Sequence, residues 1–125
     1  MSKGVIFNLA TDLFFAPSIA AAAEALGCSV KVVDGYQDAA AFLDLMRAEK
    51  PDLIILDLNS SLPWIEWLPA AKAEPLLKAT PWLAHGSHMN PRRLAAARKA
   101  GADLVAPKSQ FSAELGGLMQ TLLAK

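Results

Sequence analysis

Short runs of apolar residues alternate along this chain with longer segments that are rich in alanine and leucine. The short runs are typical of strands, and the segments between them are typical of helices. We predict strands at Val5–Ala10, Ser29–Val33, Leu53–Leu56, Trp82–Ala84 and Leu104–Ala106. The third run, LIIL, contains no polar residue, which is typical of a central parallel strand that is buried on both faces.

Capping residues and prolines set the limits of the predicted helices, which cover 16–26, 38–49, 64–78, 92–100 and 112–124. Gly27 ends the first helix, and Asp38 and Asn90 are suited to cap the second and fourth. We predict that the third is weak and broken, because prolines interrupt it. These prolines are Pro63, Pro69, Pro75 and Pro81.

Five strand–helix pairs in alternation predict a flavodoxin-like α/β fold, a doubly wound parallel sheet with strand order 2-1-3-4-5. With 125 residues, we expect one domain over 1–125. Open sheets of this kind bind ligands at the carboxyl ends of their strands. Asp57 directly follows the apolar third strand, so we expect its carboxylate to emerge at that edge.

Polar side chains follow several of the other strands at the same edge. Asp12 follows the first strand, Ser87 the fourth and Lys108 the fifth. A lysine and a hydroxyl beside a carboxylate can hold an anion, and Asp57 is the candidate nucleophile that would carry it. His85 and His88 also follow the fourth strand, and with the two aspartates they would be an alternative transition-metal site.

Composition narrows the classes of partner. Lysine plus arginine and aspartate plus glutamate both number 12, so we expect no nucleic-acid or membrane partner. Cys28 is the only cysteine, and the start of the chain lacks the apolar segment of a signal peptide, so we expect a cytoplasmic protein. The sequence has no phosphate-binding glycine loop, CxxC, HExxH or nucleophile elbow, which argues against a nucleotide enzyme, a redox protein or a hydrolase.

Two segments carry a resemblance to a known family. DGYQDAAAFLDLMRAEKPDLIILDLN (34–59) and AAARKAGADLVAPK (95–108) resemble the receiver domains of bacterial response regulators (CheY-like). The resemblance implies that Asp57 accepts a phosphoryl group from a histidine kinase and that Lys108 binds its oxygens. It implies that Asn59 offers its backbone carbonyl to Mg²⁺, together with Asp12 and Asp57. The Ser/Thr switch position falls on Gly86 or Ser87, and we assign it to Ser87 because only serine has a hydroxyl.

The sequence also departs from the family pattern. Thr11 and Asp12 stand where receivers have two acidic residues, so one carboxylate is missing and Mg²⁺ binding is expected to be weak. Val105 replaces the aromatic switch residue, Pro107-Lys108 inverts the usual order, and SSLP lengthens the third loop. DLFF and GSH are similar to segments of an atypical, often stand-alone, receiver subgroup.

These observations predict a stand-alone atypical receiver in two-component signalling, a phosphoprotein that acts by binding proteins and is not an enzyme. The alternative is a pseudo-receiver that binds a partner without phosphorylation, through Trp64, Trp67 and the fourth helix. A small enzyme that uses His85 and His88 is a third class. Receivers often dimerise through the fourth helix, fifth strand and fifth helix, so the resemblance adds a second copy of this chain to the candidate partners and leaves the oligomeric state open.

Overall fold

The computed structural model describes residues 4–124, in which strands and helices alternate strictly along the chain. The strands are β1 (Val5–Leu9), β2 (Ser29–Val33), β3 (Leu53–Asp57), β4 (Trp82–Gly86) and β5 (Leu104–Pro107). The helices are α1 (Ala16–Ala25), α2 (Ala39–Glu49), α3 (Trp64–Ala73), α4 (Pro91–Ala100) and α5 (Lys108–Leu123). Within residues 4–124, no helix is long and apolar enough to cross a membrane.

The strands form one parallel sheet in the order β2-β1-β3-β4-β5. The predicted flavodoxin-like architecture and strand order are therefore confirmed. Asp57 pairs in register with His85, and Gly86 pairs with Pro107. The carboxyl ends of β3, β4 and β5 thus meet at one edge of the sheet.

The hydrophobic core lies in two layers, one on each face of the sheet. One layer contains Phe42 of α2 and Trp67 of α3, and the other contains Ile19 of α1 and Phe111 of α5. Strand β3 serves both layers, because its successive side chains point to opposite faces. This double burial explains why LIIL has no polar position.

Three strands end later than their apolar runs predict. Strand β3 includes Asp57, β5 includes Pro107, and β4 continues through His85 and Gly86. The apolar pattern ends earlier than the backbone pairing, because the polar residues, glycine and proline that end these strands still keep their place in the strand register. As a result, His85 belongs to β4 and does not follow it.

The prediction that prolines break the third helix is wrong for Pro69, whereas the helix does end at Ala73, two residues before Pro75. Helix α3 runs continuously over Trp64–Ala73 with Pro69 inside it. Trp64, Trp67, Leu68 and Ala71 are all buried, and this apolar stripe offsets the backbone hydrogen bond lost at Pro69. Trp67 stacks on Phe42 and donates its Nε1–H to the carbonyl of Gln37 at 2.9 Å.

Most predicted helix ends are confirmed, and the exceptions are the end of α3, which lies at Ala73 instead of 78, and the start of α5. The Asp38 carboxylate accepts from Ala41 N, the Asn90 side chain accepts from Arg93 N, and Gly27 takes a left-handed conformation (φ 75°). Helix α5 begins at Lys108, earlier than the predicted start at 112, and is irregular at Glu114. Burial of Phe111 favours this early first turn.

Two aspartates tie neighbouring strands together at the amino edge of the sheet. Asp52, just before β3, accepts a hydrogen bond from Val5 N of β1 at 2.8 Å. Asp103, just before β5, accepts one from Trp82 N of β4 at 2.7 Å, and it also pairs with Lys72 Nζ at 2.7 Å. Each carboxylate therefore satisfies the first amide of an adjacent strand.

Candidate functional site

A cavity of about 290 Å³ opens at the carboxyl edge of the sheet. Its lining brings together three predicted site residues from distant parts of the chain, namely Asp12, Asp57 and Lys108, with Phe14 and Phe15 beside them. Asp12 lies in the loop after β1, Asp57 ends β3, and Lys108 follows β5. This convergence is the one expected from the position of each residue at the end of a parallel strand.

Asp57 is a buried carboxylate in a mixed electrostatic environment. Only 6% of the residue is exposed, and its Oδ1 accepts a hydrogen bond from Asn59 N at 2.9 Å. Burial raises the pKa of Asp57, and the nearby Asp12 carboxylate adds to the rise. The Asn59 N–H and the charges of Lys108 and Arg93 oppose it.

Lys108 is the first residue of α5, so its ammonium and the amino end of a helix lie on the same side of the cavity. Both features favour an anion at this place. The charge of Lys108 acts on Asp57, whose pKa it lowers against the effect of burial.

The structure does not bring Ser87 into the cavity lining. Its Oγ instead accepts a hydrogen bond from Met89 N at 3.1 Å, within the loop that follows β4. Gly86 has no side chain, and a Cβ there would make a tight contact of 3.2 Å with Cβ of Leu58. The cavity therefore receives no hydroxyl from either of the two residues that match the Ser/Thr switch position.

Asn59 connects Asp57 to a residue that the sequence did not single out. Besides its N–H contact with Asp57, its side-chain Oδ1 accepts a hydrogen bond from Arg93 Nη1 at 3.2 Å. From the sequence alone, Arg93 is one of several basic residues on α4, which we interpret as a solvated face, with phosphate or nucleic-acid binding as the alternative. One feature of the sequence could have singled out Arg93: it lies in the first turn of a helix, where a positive charge is unfavourable unless an anion is near.

His85 lies beneath the cavity in an aromatic cluster with Phe15 and Phe111. Its ring stacks on Phe111 at a centroid distance of 4.0 Å and meets Phe15 edge-on at 5.3 Å. It is 1% exposed, and neither ring nitrogen has a hydrogen-bond partner among the described residues. Burial, with the charge of Lys108, lowers the pKa of His85 to about 4.

This geometry does not support the transition-metal alternative. His85 is enclosed by aromatic rings, whereas His88 is exposed in the loop after β4. Within residues 4–124, no group of three or more histidine, cysteine, aspartate or glutamate side chains is arranged to hold a metal ion. Trp64 and Trp67 are buried in the core, so core packing is confirmed for both and the alternative of an exposed partner anchor is wrong.

The oxygen donors at the edge are nevertheless of the kind that suits Mg²⁺. Asp12 Oδ1 accepts from Phe14 N at 3.0 Å and Asp57 Oδ1 accepts from Asn59 N, so these described contacts occupy one oxygen of each carboxylate. A hard cation prefers such oxygen ligands. Thr11, which stands at the other expected acidic position, is exposed and is not part of the lining.

No protein-family model matches the sequence, and no curated protein matches it significantly. Solved structures, by contrast, match over nearly the whole chain. The receiver domain of a signal-transduction histidine kinase from Syntrophus aciditrophicus is 24% identical (TM-score 0.78; 97% of this chain, 90% of that chain). The phosphorylated cyanobacterial phytochrome response regulator RcpA is 22% identical (TM-score 0.77; 98% and 95%).

A third match is the chemotaxis response regulator CheY4 of Vibrio cholerae, at 17% identity (TM-score 0.76; 97% of this chain and 99% of that chain). This chain therefore has the fold of the CheY-like response-regulator receiver domains, as the resemblance of segments 34–59 and 95–108 predicted. At these identities the likeness concerns the fold, so the chemistry of the cavity has to be argued from its own residues.

Proposed function

We propose that this chain is an atypical response-regulator receiver in two-component signalling, with Asp57 as the phosphoacceptor. The observation that carries this proposal is the shared cavity of Asp57, Lys108 and Asp12 at the carboxyl edge of a receiver fold. A nucleophilic carboxylate and a fixed cation lie there at the end of rigid strands. Two of the similar structures are response regulators by name.

In the proposed reaction, a carboxylate oxygen of Asp57 attacks the phosphorus of a phosphoryl donor. A new O–P bond forms while the bond between phosphorus and the leaving group breaks, and the leaving group departs with the electron pair. Lys108 and the amino end of α5 stabilise the charge on the phosphoryl oxygens. The Asn59 N–H holds Asp57 Oδ1 in place, which leaves the other oxygen to react.

Asp12, Asp57 and the backbone carbonyl of Asn59 are the residues proposed to hold Mg²⁺, which would neutralise phosphoryl charge when bound. With one aspartate instead of two after β1, we expect a high Mg²⁺ requirement. The donor in the cell is proposed to be a histidine kinase, and the phosphorylated protein is proposed to act by binding another protein.

The test is an intact-mass spectrum after incubation with acetyl phosphate and Mg²⁺, for wild type and Asp57→Asn. We expect a single phosphoryl adduct on the wild-type protein and none on the variant, because the amide cannot accept the group. Asp44→Asn on α2 is the matched control and should be modified like wild type. An unmodified wild-type protein would count against phosphorylation.

The pseudo-receiver alternative is supported by a separate observation, the absence of both switch groups from the described cavity. Gly86 and Ser87 supply no hydroxyl there, and Val105 replaces the aromatic residue. In this alternative a partner binds the unmodified protein. Partner affinity that is unchanged in Asp57→Asn, without an adduct on wild type, would favour it.

A further inference from the structure

The first turn of α4 carries two positive charges at a place where helices favour negative ones. Asn90 caps the helix, Pro91 is its first residue, and Arg92 and Arg93 follow. The first turn contains no acidic residue. Because the amino end of a helix already has a positive potential, this arrangement costs stability unless an anion approaches.

Of the two arginines, Arg93 reaches toward Asp57. Its Nη1 donates to Asn59 Oδ1 at 3.2 Å, and the backbone N–H of Asn59 donates to Asp57 Oδ1 at 2.9 Å. The guanidinium is close enough for its charge to lower the pKa of Asp57. A single residue, Asn59, therefore connects Arg93 of α4 to the candidate phosphoacceptor at the end of β3.

The described cavity also offers few side-chain donors for a phosphoryl group. Such a group brings about two negative charges and three strong acceptor oxygens. Lys108 is the only cation among the described residues that line the cavity, and the hydroxyl expected from β4 is held away by Met89 N. A guanidinium is well suited to fill this need, because its forked N–H groups match phosphoryl oxygens.

We propose that Arg93 is a phosphoryl-binding residue, which exchanges its hydrogen bond with Asn59 for the oxygens of a phosphoryl group on Asp57. The proposal rests on the proposed phosphorylation of Asp57. The exchange replaces a neutral acceptor with a charged one and draws the first turn of α4 toward the cavity. Arg93 thereby takes the place of the missing hydroxyl as the group that links the modified aspartate to a helix.

The neighbouring arginine offers a matched control, because Arg92 lies in the same turn and is exposed like Arg93. The experiment compares the initial rate of phosphoryl-adduct formation from acetyl phosphate, by intact mass, in wild type, Arg93→Gln, Arg93→Lys and Arg92→Gln. We expect Arg93→Gln to be slowed about tenfold, the loss expected for one charge-assisted hydrogen bond. Arg92→Gln should match wild type, and Arg93→Lys should fall between.

A second readout separates direct binding from a structural effect. In wild type, the NMR signal of the Arg93 Nε–H should shift when the adduct forms, while that of Arg92 should stay in place. Thermal melting of each variant shows that it is folded before rates are compared.

The outcomes distinguish the two proposals. An adduct that forms at the same rate in Arg93→Gln as in wild type would overturn the role of Arg93 and leave phosphorylation intact. Equal slowing in both glutamine variants would also overturn it, because net charge alone would then explain the effect. No adduct on wild type would overturn phosphorylation, and the role of Arg93 with it.

Discussion

At the residue scale, His85 stands out because a polar, ionisable side chain lies in an apolar environment. Its imidazole, whose two nitrogens have no partner within residues 4–124, is buried between Phe15 and Phe111. It lies directly across the strand pairing from Asp57. Desolvation disfavours the charged form of such a ring. The ring therefore serves as an apolar wall beneath the cavity.

This burial predicts a pH-dependent stability. The ordinary pKa of histidine, 6.5, falls to about 4 in the folded protein, so the unfolded chain takes up a proton first as the pH drops. Stability is then fully present above pH 6.5 and is lost between pH 6.5 and 4. From about pH 7 to about pH 5 we expect His85 to cost about 2 kcal/mol.

The measurement is urea unfolding of wild type and His85→Phe at both pH values. Asp57, whose raised pKa acts in the opposite direction, is present in both proteins, so the difference between them isolates His85. We expect the phenylalanine variant to lose less stability on acidification. Parallel pH profiles would contradict the buried neutral imidazole.

Only part of the candidate site could be predicted from the sequence. Asp12, Asp57 and Lys108 are predictable from their positions at strand ends, and the structure places all three in one cavity. The roles of Arg93 and Ser87 depend on their hydrogen-bond partners in the folded protein, Asn59 and Met89. The local sequence pattern does not predict either contact. The apolar pattern also places the end of β4 before His85, so it gives no sign of the aromatic cluster.

At the scale of the elements, regular alternation of strands and helices is sufficient to predict the sheet and its order. Helix α3 is harder to predict because proline is locally unfavourable, whereas Trp64 and Trp67 stabilise the helix through contacts with the core. The helix propensity of single residues is a weak guide where burial of an apolar helix face supplies most of the stability of the helix.

Helix α5 contains two adjacent glycines, which are unfavourable in a helix and can be replaced. Gly116 and Gly117 are exposed, neither has a left-handed conformation, and a Cβ added at either position would meet open space. Replacing both by alanine should stabilise the protein by about 1–2 kcal/mol, because alanine loses less backbone entropy in a helix. Urea unfolding measures the gain.

Gly27 provides a control of opposite sign. It also has open space for a Cβ, but its φ of 75° is left-handed, so Gly27→Ala should destabilise the protein by about 1 kcal/mol. If the α5 variant were destabilised instead, the irregularity at Glu114 would extend into the glycine pair.

At the scale of the whole molecule, the described exposed large hydrophobic side chains avoid the surface of α4, β5 and α5. They are Leu13, Phe14, Val32, Tyr36, Ile65, Leu76 and Met89. Leu13, Phe14 and Met89 lie in the loops at the carboxyl edge. A homodimer through these elements would thus use a surface that offers few apolar contacts, and stable interfaces usually need an apolar centre.

We therefore expect the unphosphorylated protein to be a monomer at micromolar concentration, as measured by sedimentation velocity. Lys99→Glu on the basic surface of α4 should leave the sedimentation coefficient unchanged. A dimer that this substitution dissociates would contradict the expectation and would locate the interface on α4.

The two edges of the sheet are held differently. Asp52 and Asp103 tie adjacent strands through their side chains at the amino edge, whereas at the carboxyl edge, beside the cavity, backbone bonds such as Leu58 N to His85 O at 2.9 Å join them. Protein segments open locally with different free energies, so amide hydrogen exchange should be slow at Val5 and Trp82 and faster toward Asp57 and Gly86. The sheet would then loosen from the end where a ligand arrives, while its opposite end keeps the strands in register.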